Sequence, residues 1–158
     1  MKIIFLDIDG VLNSRHTEET FMGTPFVADE KILLLKEILD QTDAKIVLSS
    51  SWRKGWQLKD AGVTSGLDIW LFDTLKEKLA EYKIELMSYT EDLGHRGFEI
   101  SRWLKNHTDE QIESYIVMDD APSEALEPHS KRLVQTSMSE GLTHSEVEEA
   151  ITLLNETK

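Results

Sequence analysis

The sequence predicts an α/β domain whose mainly parallel sheet is covered by helices on both faces. Short apolar runs of strand length alternate along the chain with longer segments in which apolar residues recur at helical spacing. Strands that alternate with helices are joined by crossovers and lie parallel in one sheet. The length of 158 residues fits a single domain over 1–158, since a domain of that size buries about 70% of its unfolded surface.

Five apolar runs are predicted to form the buried strands of the sheet. In chain order they are IIFL at 3–6, IVL at 46–48, the more polar KIELMSY at 83–89, YIVM at 115–118 and RLVQT at 132–136. Because the carboxyl ends of parallel strands lie along one edge of a sheet, the residues that follow these runs should become neighbours.

The segments between the strands carry the pattern of amphipathic helices. Apolar residues recur at i, i+3 and i+4, which gives each helix a single buried face. The predicted helices cover residues 28–42, 68–82, 96–107 and 143–156. The last begins with Thr143 and Glu146 at capping-box spacing.

Two segments interrupt this alternation, and both follow strands whose ends carry polar residues. Residues 14–28 are too long for a minimal strand-to-helix connection and are predicted to form a flap over a site. Residues 54–69 contain three glycines and predict an irregular excursion with one short helix. Neither segment is large enough for a cap domain, so we expect little or no cap.

Aromatic residues beside cations in 14–28 and 53–58 either stack a nucleic-acid base or pack these segments onto the domain.

The composition excludes several kinds of chemistry. The chain has no cysteine, which excludes disulfides, thiolate zinc sites and a cysteine nucleophile and fits a cytoplasmic protein. The formal charge of -13 argues against broad nucleic-acid binding, because that mode relies on many basic residues. The apolar run at 3–6 is too short for a signal peptide and no segment approaches a membrane span, so we expect no membrane partner.

Acidic and hydroxyl residues follow three of the predicted strands. Asp7 and Asp9 follow the first, serines beginning at Ser49 follow the second, and Asp119 and Asp120 follow the fourth. Two ionised carboxylates about 4 Å apart repel by roughly 4 kcal/mol at an effective dielectric constant of about 20. Converging carboxylates therefore need protons or a bound cation, and an all-oxygen ligand set favours magnesium.

With a cation present, two of these carboxylates can divide the chemistry of phosphoryl transfer. Asp7 would attack phosphorus and form an aspartyl-phosphate, while Asp9 would protonate the leaving oxygen and later deprotonate water. Gly10 allows the backbone to turn sharply beside the phosphate. The first strand would then be a rigid mount for a nucleophile and its acid/base partner.

The sequence DIDGVL at 7–12 resembles the first motif of the haloacid dehalogenase-like (HAD) superfamily, D-x-D-G-[VT]-L. The resemblance implies a three-layer Rossmann-like fold, magnesium-dependent phosphoryl transfer and further motifs in a fixed order. IVLSSSWR resembles the second motif, with Ser50 as its hydroxyl residue and Ser49 as the alternative. YIVMDD resembles the fourth motif, and Arg96 is the best match to the basic residue of the third.

Four segments together resemble the small HAD domain of the Swiss Army Knife RNA repair proteins, and the resemblance spans nearly the whole chain. They are LSSSWR, RGFEISRWL, YIVMDD and RLVQTSMSEGLT. Serine replaces the commoner threonine of the second motif, and Arg96 replaces the usual lysine of the third. Arginine presents a planar fork where lysine presents a point charge, so a lysine stays an alternative third-motif base.

The resulting prediction is a magnesium-dependent phosphatase that hydrolyses a phosphate monoester. The candidate substrates are a nucleic-acid end, a nucleotide and a small phosphate ester. The predicted catalytic residues are Asp7, Asp9, Ser50 and Arg96. The predicted substrate contacts are Gly10, Ser51 and Arg53. The predicted magnesium ligands are Asp7, Asp9 through its backbone carbonyl, Asp119 and Asp120.

Two alternatives without turnover stay open. One is a receiver-like domain that accepts phosphate on an aspartate, and the other is a non-catalytic binding module on the same fold. The position of Asp9, two residues after Asp7, favours the enzyme, because a mere acceptor needs no proton donor for a leaving group. Phosphate release from an aryl phosphate with and without magnesium separates the enzyme from the non-catalytic module.

Overall fold

The computed structural model describes residues 1–156 and contains a five-stranded parallel sheet. In chain order the strands are β1 (Lys2–Leu6), β2 (Thr20–Phe21), β3 (Thr24–Pro25), β4 (Lys45–Leu48), β5 (Leu86–Tyr89), β6 (Ser114–Asp119) and β7 (Leu133–Gln135). The sheet has the order β5-β4-β1-β6-β7, with β2 and β3 forming a separate antiparallel hairpin. The predicted α/β class is therefore confirmed.

Within residues 1–156, five α-helices accompany the sheet. They are α1 (Asp29–Thr42), α2 (Arg53–Asp60), α3 (Leu67–Glu81), α4 (Arg96–Asn106) and α5 (His144–Asn155). The carboxylate of Glu146 accepts hydrogen bonds from the backbone N–H of Thr143 at 3.2 Å and from its hydroxyl at 2.8 Å, as the capping-box spacing predicts. The strand predicted at 83–89 begins only at Leu86, because Lys83 adopts a left-handed conformation (φ 60°) just after α3.

Helices cover both faces of the sheet, because successive side chains of a strand point to opposite faces. On one face the apolar stripes of α1, α3 and α5 pack against alternate residues of the strands, such as Ile4 and Leu6. On the other face, Ile3 and Phe5 pack against α4, and the ring of Phe5 meets that of Trp103 edge-on at 5.4 Å. This arrangement is the expected three-layer, Rossmann-like fold.

The segment between β1 and α1 forms the hairpin of β2 and β3 rather than an irregular loop. Its turn uses Met22 and Gly23, both with positive φ (54° and 83°), as a two-residue hairpin turn requires. Phe26, just after the hairpin, stacks on Trp52 with the ring centroids 5.9 Å apart. The predicted flap is thus a short hairpin anchored beside the start of α2.

The segment after β4 contains the short helix α2, which packs closely against α3. A side chain at Gly55 would collide with the backbone of Asp68 and lie 2.6 Å from Cβ of Phe72. Trp56 stacks on Phe72 at 5.1 Å and contacts Tyr89 at 4.8 Å between ring centroids. These contacts favour packing over base stacking as the role of Trp56.

Within residues 1–156, every helix is too short or too polar to cross a lipid bilayer.

Candidate active site

The carboxyl ends of β4, β1 and β6 place polar residues side by side at one edge of the sheet. The strand pairing continues one residue past β1, since the backbone N–H of Asp7 donates to Met118 O at 2.9 Å. The N–H of Ser49 likewise donates to Leu6 O at 2.8 Å. Ser49, Asp7 and Asp119 therefore lie level with one another, as the positions of the polar residues after these strands predict.

Three carboxylates converge at this edge. Asp7, Asp119 and Asp120 each offer an oxygen within 4.8 Å of the others, and the side chains of Asp7 and Asp119 are buried. Gly10 makes room for the cluster: its φ is +79°, and a Cβ there would lie 2.6 Å from Cγ of Asp120. Another residue at position 10 would therefore displace the Asp120 carboxylate.

The carboxylate cluster carries more negative charge than its surroundings compensate. Burial raises the pKa of Asp7 to about 8; repulsion from Asp119 adds to this rise and Arg96 opposes it. Burial, followed by repulsion from Asp119, also raises the pKa of Asp120. A crowded set of hard oxygen donors with excess negative charge fits the divalent cation that the HAD resemblance implies.

We predict that metal-free protein loses stability as the pH rises and that magnesium restores it. The pKa of Asp7 is raised from 3.8 to about 8, so the folded state binds this proton more tightly than the unfolded state. The resulting stabilisation is fully present below pH 3.8 and is lost as the pH approaches 8. A cation at 100 times its dissociation constant adds about 2.7 kcal/mol to the free energy of unfolding.

Melting temperatures measured between about pH 5 and about pH 8, with magnesium or a chelator, check this prediction. The Asp7→Asn variant is the control, because it removes the titrating group and should flatten the pH dependence. A metal-free wild type that becomes more stable with rising pH and ignores magnesium would contradict the prediction.

Arg96, the first residue of α4, reaches into the carboxylate cluster. Its Nη1 donates to Oδ2 of Asp119 and to the carbonyl oxygen of Ser49 at 2.9 Å. The same nitrogen lies 3.7 Å from Oδ2 of Asp7. Arg96 thus faces the site rather than the surface, which favours it over a lysine as the third-motif base.

Glu99 lies between Arg53 and Arg96 and is a residue that the sequence reasoning missed. It is buried, and its Oε1 lies 3.2 Å from Nη2 of Arg53 and 3.9 Å from Nε of Arg96. Arg53 is also buried and donates from Nη1 to the hydroxyl of Thr90 at 3.3 Å. The sequence feature that could have identified Glu99 is its position one turn after Arg96 and next to the core residue Ile100. Substrate binding by Arg53 stays a prediction.

The three serines after β4 differ in their surroundings. Ser50 Oγ is buried and accepts a hydrogen bond from the backbone N–H of Trp52 at 3.2 Å. Ser49 Oγ is buried with no hydrogen-bond partner among residues 1–156, which is uncommon for a hydroxyl. Ser51 is exposed and lines a cavity of about 350 Å³ together with Arg53 and Arg96. Ser50 and Ser49 both stay candidates for the second-motif hydroxyl, and Ser51 for a substrate contact.

The side chain of Asp9 is held apart from the carboxylate cluster. Its Oδ1 accepts a hydrogen bond from Nδ2 of Asn13 at 2.9 Å, and its Oδ2 accepts one from Nε1 of Trp52 at 3.0 Å. Both carboxylate oxygens of Asp9 therefore accept hydrogen bonds from protein donors, and its metal contact through the backbone carbonyl and its role in proton transfer stay predictions. Asn13 was missed, although a polar residue four positions after Asp9 was the available signal.

Two threonines at this edge were also missed. The hydroxyl of Thr136, the residue after β7, donates to Gly10 O at 2.6 Å. Thr90 follows β5 and contacts Arg53 as described. Both obey the rule that polar residues follow the strands, and applying that rule to the two outer strands would have found them.

A cavity of about 430 Å³ opens beside Asp9. The loop after β1 and the hairpin supply much of its wall, which combines apolar side chains with hydroxyls and one arginine. Its lining residues are Asp9, Asn13, Ser14, Arg15, Thr17, Thr24, Pro25, Trp52, Leu71 and Met138.

Comparison with known proteins found a family whose sequence model matches most of the chain. The sequence model of the HAD domain in Swiss Army Knife RNA repair proteins matches residues 3–147. That range contains all of the site residues described above. A search of curated proteins found no match to the chain.

Proposed function

We propose a phosphatase function because this chain belongs to the family of the HAD domain in Swiss Army Knife RNA repair proteins, whose sequence model matches residues 3–147. Membership in the family supports a hydrolase of the phosphatase type. The observation that carries the finer proposal is the contact of Arg96 with both Asp7 and Asp119 at the sheet edge. We propose that the reaction is magnesium-dependent hydrolysis of a phosphate monoester through a covalent intermediate on Asp7.

In the first step, Oδ2 of the ionised Asp7 carboxylate, which lies 3.7 Å from Nη1 of Arg96, attacks phosphorus. The bond from phosphorus to the leaving oxygen breaks, and protonated Asp9 gives its proton to that oxygen. The products are an alcohol and an aspartyl-phosphate. Oδ1 of Asp7 is fixed by the backbone N–H of Ile8 at 2.9 Å, which orients the carboxylate for attack.

In the second step, water attacks the phosphorus of the aspartyl-phosphate. Asp9, now ionised, takes a proton from the water, and the bond between phosphorus and Asp7 breaks. Inorganic phosphate leaves and the Asp7 carboxylate is regenerated. Asp9 ends the cycle protonated, ready for another leaving group.

Positive charge at this edge stabilises the phosphoryl group during both steps. Magnesium, when held by Asp7, Asp119, Asp120 and the backbone carbonyl of Asp9, supplies part of this charge. Arg96 would supply further positive charge, because its guanidinium stays protonated and is held by hydrogen bonds to Asp119 and to the carbonyl oxygen of Ser49. The hydroxyl of Ser50 or Ser49 would donate a hydrogen bond to a phosphoryl oxygen.

The cavity beside Asp9 supports a nucleotide or a phosphorylated nucleic-acid end as substrate. Its volume of about 430 Å³ accommodates a ring system, and Pro25, Leu71 and Met138 provide apolar surface for one. Arg15 places a cation in the cavity wall despite the net charge of -13. That net charge disfavours extended polyanions, so recognition would be confined to a terminal nucleotide.

A phosphatase screen tests this function. The panel contains nucleotides, sugar phosphates, an aryl phosphate and oligonucleotides phosphorylated at the 3′ or 5′ end, each with magnesium or a chelator. We expect magnesium-dependent phosphate release, fastest with a nucleotide or an oligonucleotide end. Absence of release from every substrate, with a folded protein, would instead support a binding module.

Shortening Leu71 should weaken binding of nucleotide substrates. Each buried methylene contributes about 0.8 kcal/mol, so Leu71→Ala should raise KM for a nucleotide about 10-fold or more. A small phosphate ester without a ring should show little change. Leu67→Ala is the matched control, because Leu67 is on the same helix and is 60% exposed. Equal KM changes for both substrates would reject the cavity as the leaving-group site.

A further inference from the structure

We infer that Trp52 and Asn13 are positioning residues that hold the Asp9 carboxyl group in line with the leaving oxygen. The inference rests on the proposed phosphatase function, in which Asp9 is the proton donor. It assigns to Trp52, directly after the serines of the second motif, a role in proton transfer as well as in packing. The group toward which they orient Asp9 is the leaving group of the substrate, in the cavity beside Asp9.

The geometry fixes both oxygens of Asp9. Trp52 Nε1 donates to Oδ2 at 3.0 Å and Asn13 Nδ2 donates to Oδ1 at 2.9 Å. Two hydrogen bonds from different sides prevent rotation of the carboxyl group. Each oxygen has two lone pairs, so each keeps a site at which it can hold the transferable proton. The proton can therefore pass to the leaving oxygen without loss of either contact.

Both donors are themselves held rigidly. Trp52 is 7% exposed and stacks on Phe26, which packs in turn against Phe21 of the hairpin at 6.1 Å. Asn13 is 2% exposed, and its Oδ1 accepts the backbone N–H of Gly10 at 2.9 Å. The orientation of Asp9 thus depends on the hairpin on one side and on the first motif on the other.

Trp52 also joins the proton donor to the substrate cavity. Trp52 lines the same cavity that Asp9 lines. A leaving group that packs against the Trp52 ring lies next to the carboxyl group that protonates it. Loss of the indole N–H should therefore impair bond breaking in esters that need the proton, with little effect on binding of the phosphate.

The indole N–H resonances in a proton–nitrogen NMR spectrum test the contact without any need for turnover. We expect Asp9→Ala to shift the Trp52 resonance strongly and to speed its exchange with solvent. The Trp103 resonance is the internal control, because that indole donates to Ser88 Oγ at 2.9 Å, on the α4 side of the sheet. An unmoved Trp52 resonance in a folded variant would overturn the inference.

Kinetics of Trp52→Phe test the consequence for catalysis. A general acid contributes about 10²- to 10⁴-fold, so we expect kcat/KM for an alkyl phosphate to fall about 10-fold or more. With nitrophenyl phosphate, whose leaving group needs no proton, the loss should stay under about 3-fold. Trp103→Phe, which removes an equivalent indole donor away from Asp9, should change neither value. Equal losses on both substrates would show that Trp52 acts only through packing.

Asn13→Ala keeps the indole in place and covers the case in which Trp52→Phe does not fold. It should give the same dependence on the leaving group, and equal losses would again overturn the inference. A wild type that releases no phosphate from any substrate of the screening panel would reject the proposed phosphatase function instead. The NMR comparison would then decide alone whether Trp52 holds Asp9.

Discussion

Replacing Asp7 with asparagine should reduce phosphate release to background while the fold stays intact or gains stability. The amide cannot act as the nucleophile, and loss of such a residue lowers turnover by about 10⁴-fold or more. Stability should not fall, because burial and repulsion from Asp119 already disfavour the Asp7 carboxylate. Phosphate release and the melting temperature, measured on the same preparation, check both parts.

Asp109→Asn is the matched control for this variant. Asp109 is exposed in a short turn after α4, so the same chemical change there should affect neither activity nor melting temperature. Wild-type activity in pure, folded Asp7→Asn would exclude a covalent mechanism at this residue. Lost activity accompanied by unfolding would contradict the expectation for stability.

Replacing Asp9 with asparagine should slow hydrolysis of the aspartyl-phosphate for every substrate. It should slow formation of the aspartyl-phosphate only for substrates with poor leaving groups. Proton donation to the leaving oxygen contributes about 10²- to 10⁴-fold for poor leaving groups and little for good ones. The value of kcat/KM should therefore fall steeply for alkyl phosphates and only slightly for nitrophenyl phosphate. The value of kcat should fall for all substrates, because water activation also needs Asp9.

A series of phosphate esters graded by leaving group measures this dependence. The variant keeps a side chain of the same shape, and its amide oxygen can still accept from Trp52 or Asn13, so a collapse of the site is not expected. A loss of kcat/KM that is equal across the series would argue that Asp9 has a structural role only.

The sequence was sufficient to predict the edge of the sheet at which the site lies. The apolar runs that stop just before Asp7, Ser49 and Asp119 predict the strands. The three polar residues should then be neighbours, because the carboxyl ends of parallel strands lie along one edge of the sheet. The register then brings these positions level without further information. The same logic explains why Thr90 and Thr136, after weaker strands, were predictable in principle.

The side-chain contacts that orient the site could not be predicted in this way. Arg96 is the first residue of a helix. The local sequence at a helix start does not determine whether the side chain points toward the site or toward solvent. Glu99 and Arg53 are 46 residues apart (99 minus 53) and meet only because α4 packs beside the end of β4. The contact between Trp52 and Asp9 likewise depends on the packing of the hairpin against the start of α2.

The most direct test of the central claim is the capture of the phosphoryl group on Asp7. Asp9→Asn, mixed with nitrophenyl phosphate and magnesium and quenched in acid, should release a burst of one nitrophenol per enzyme molecule. Mass spectrometry of the digested protein should then find one phosphoryl group on the peptide that contains Asp7. The account predicts this adduct because the first step proceeds while the second is blocked. Turnover by the wild type with no adduct on Asp7 in the variant, or with an adduct on another residue, would contradict it.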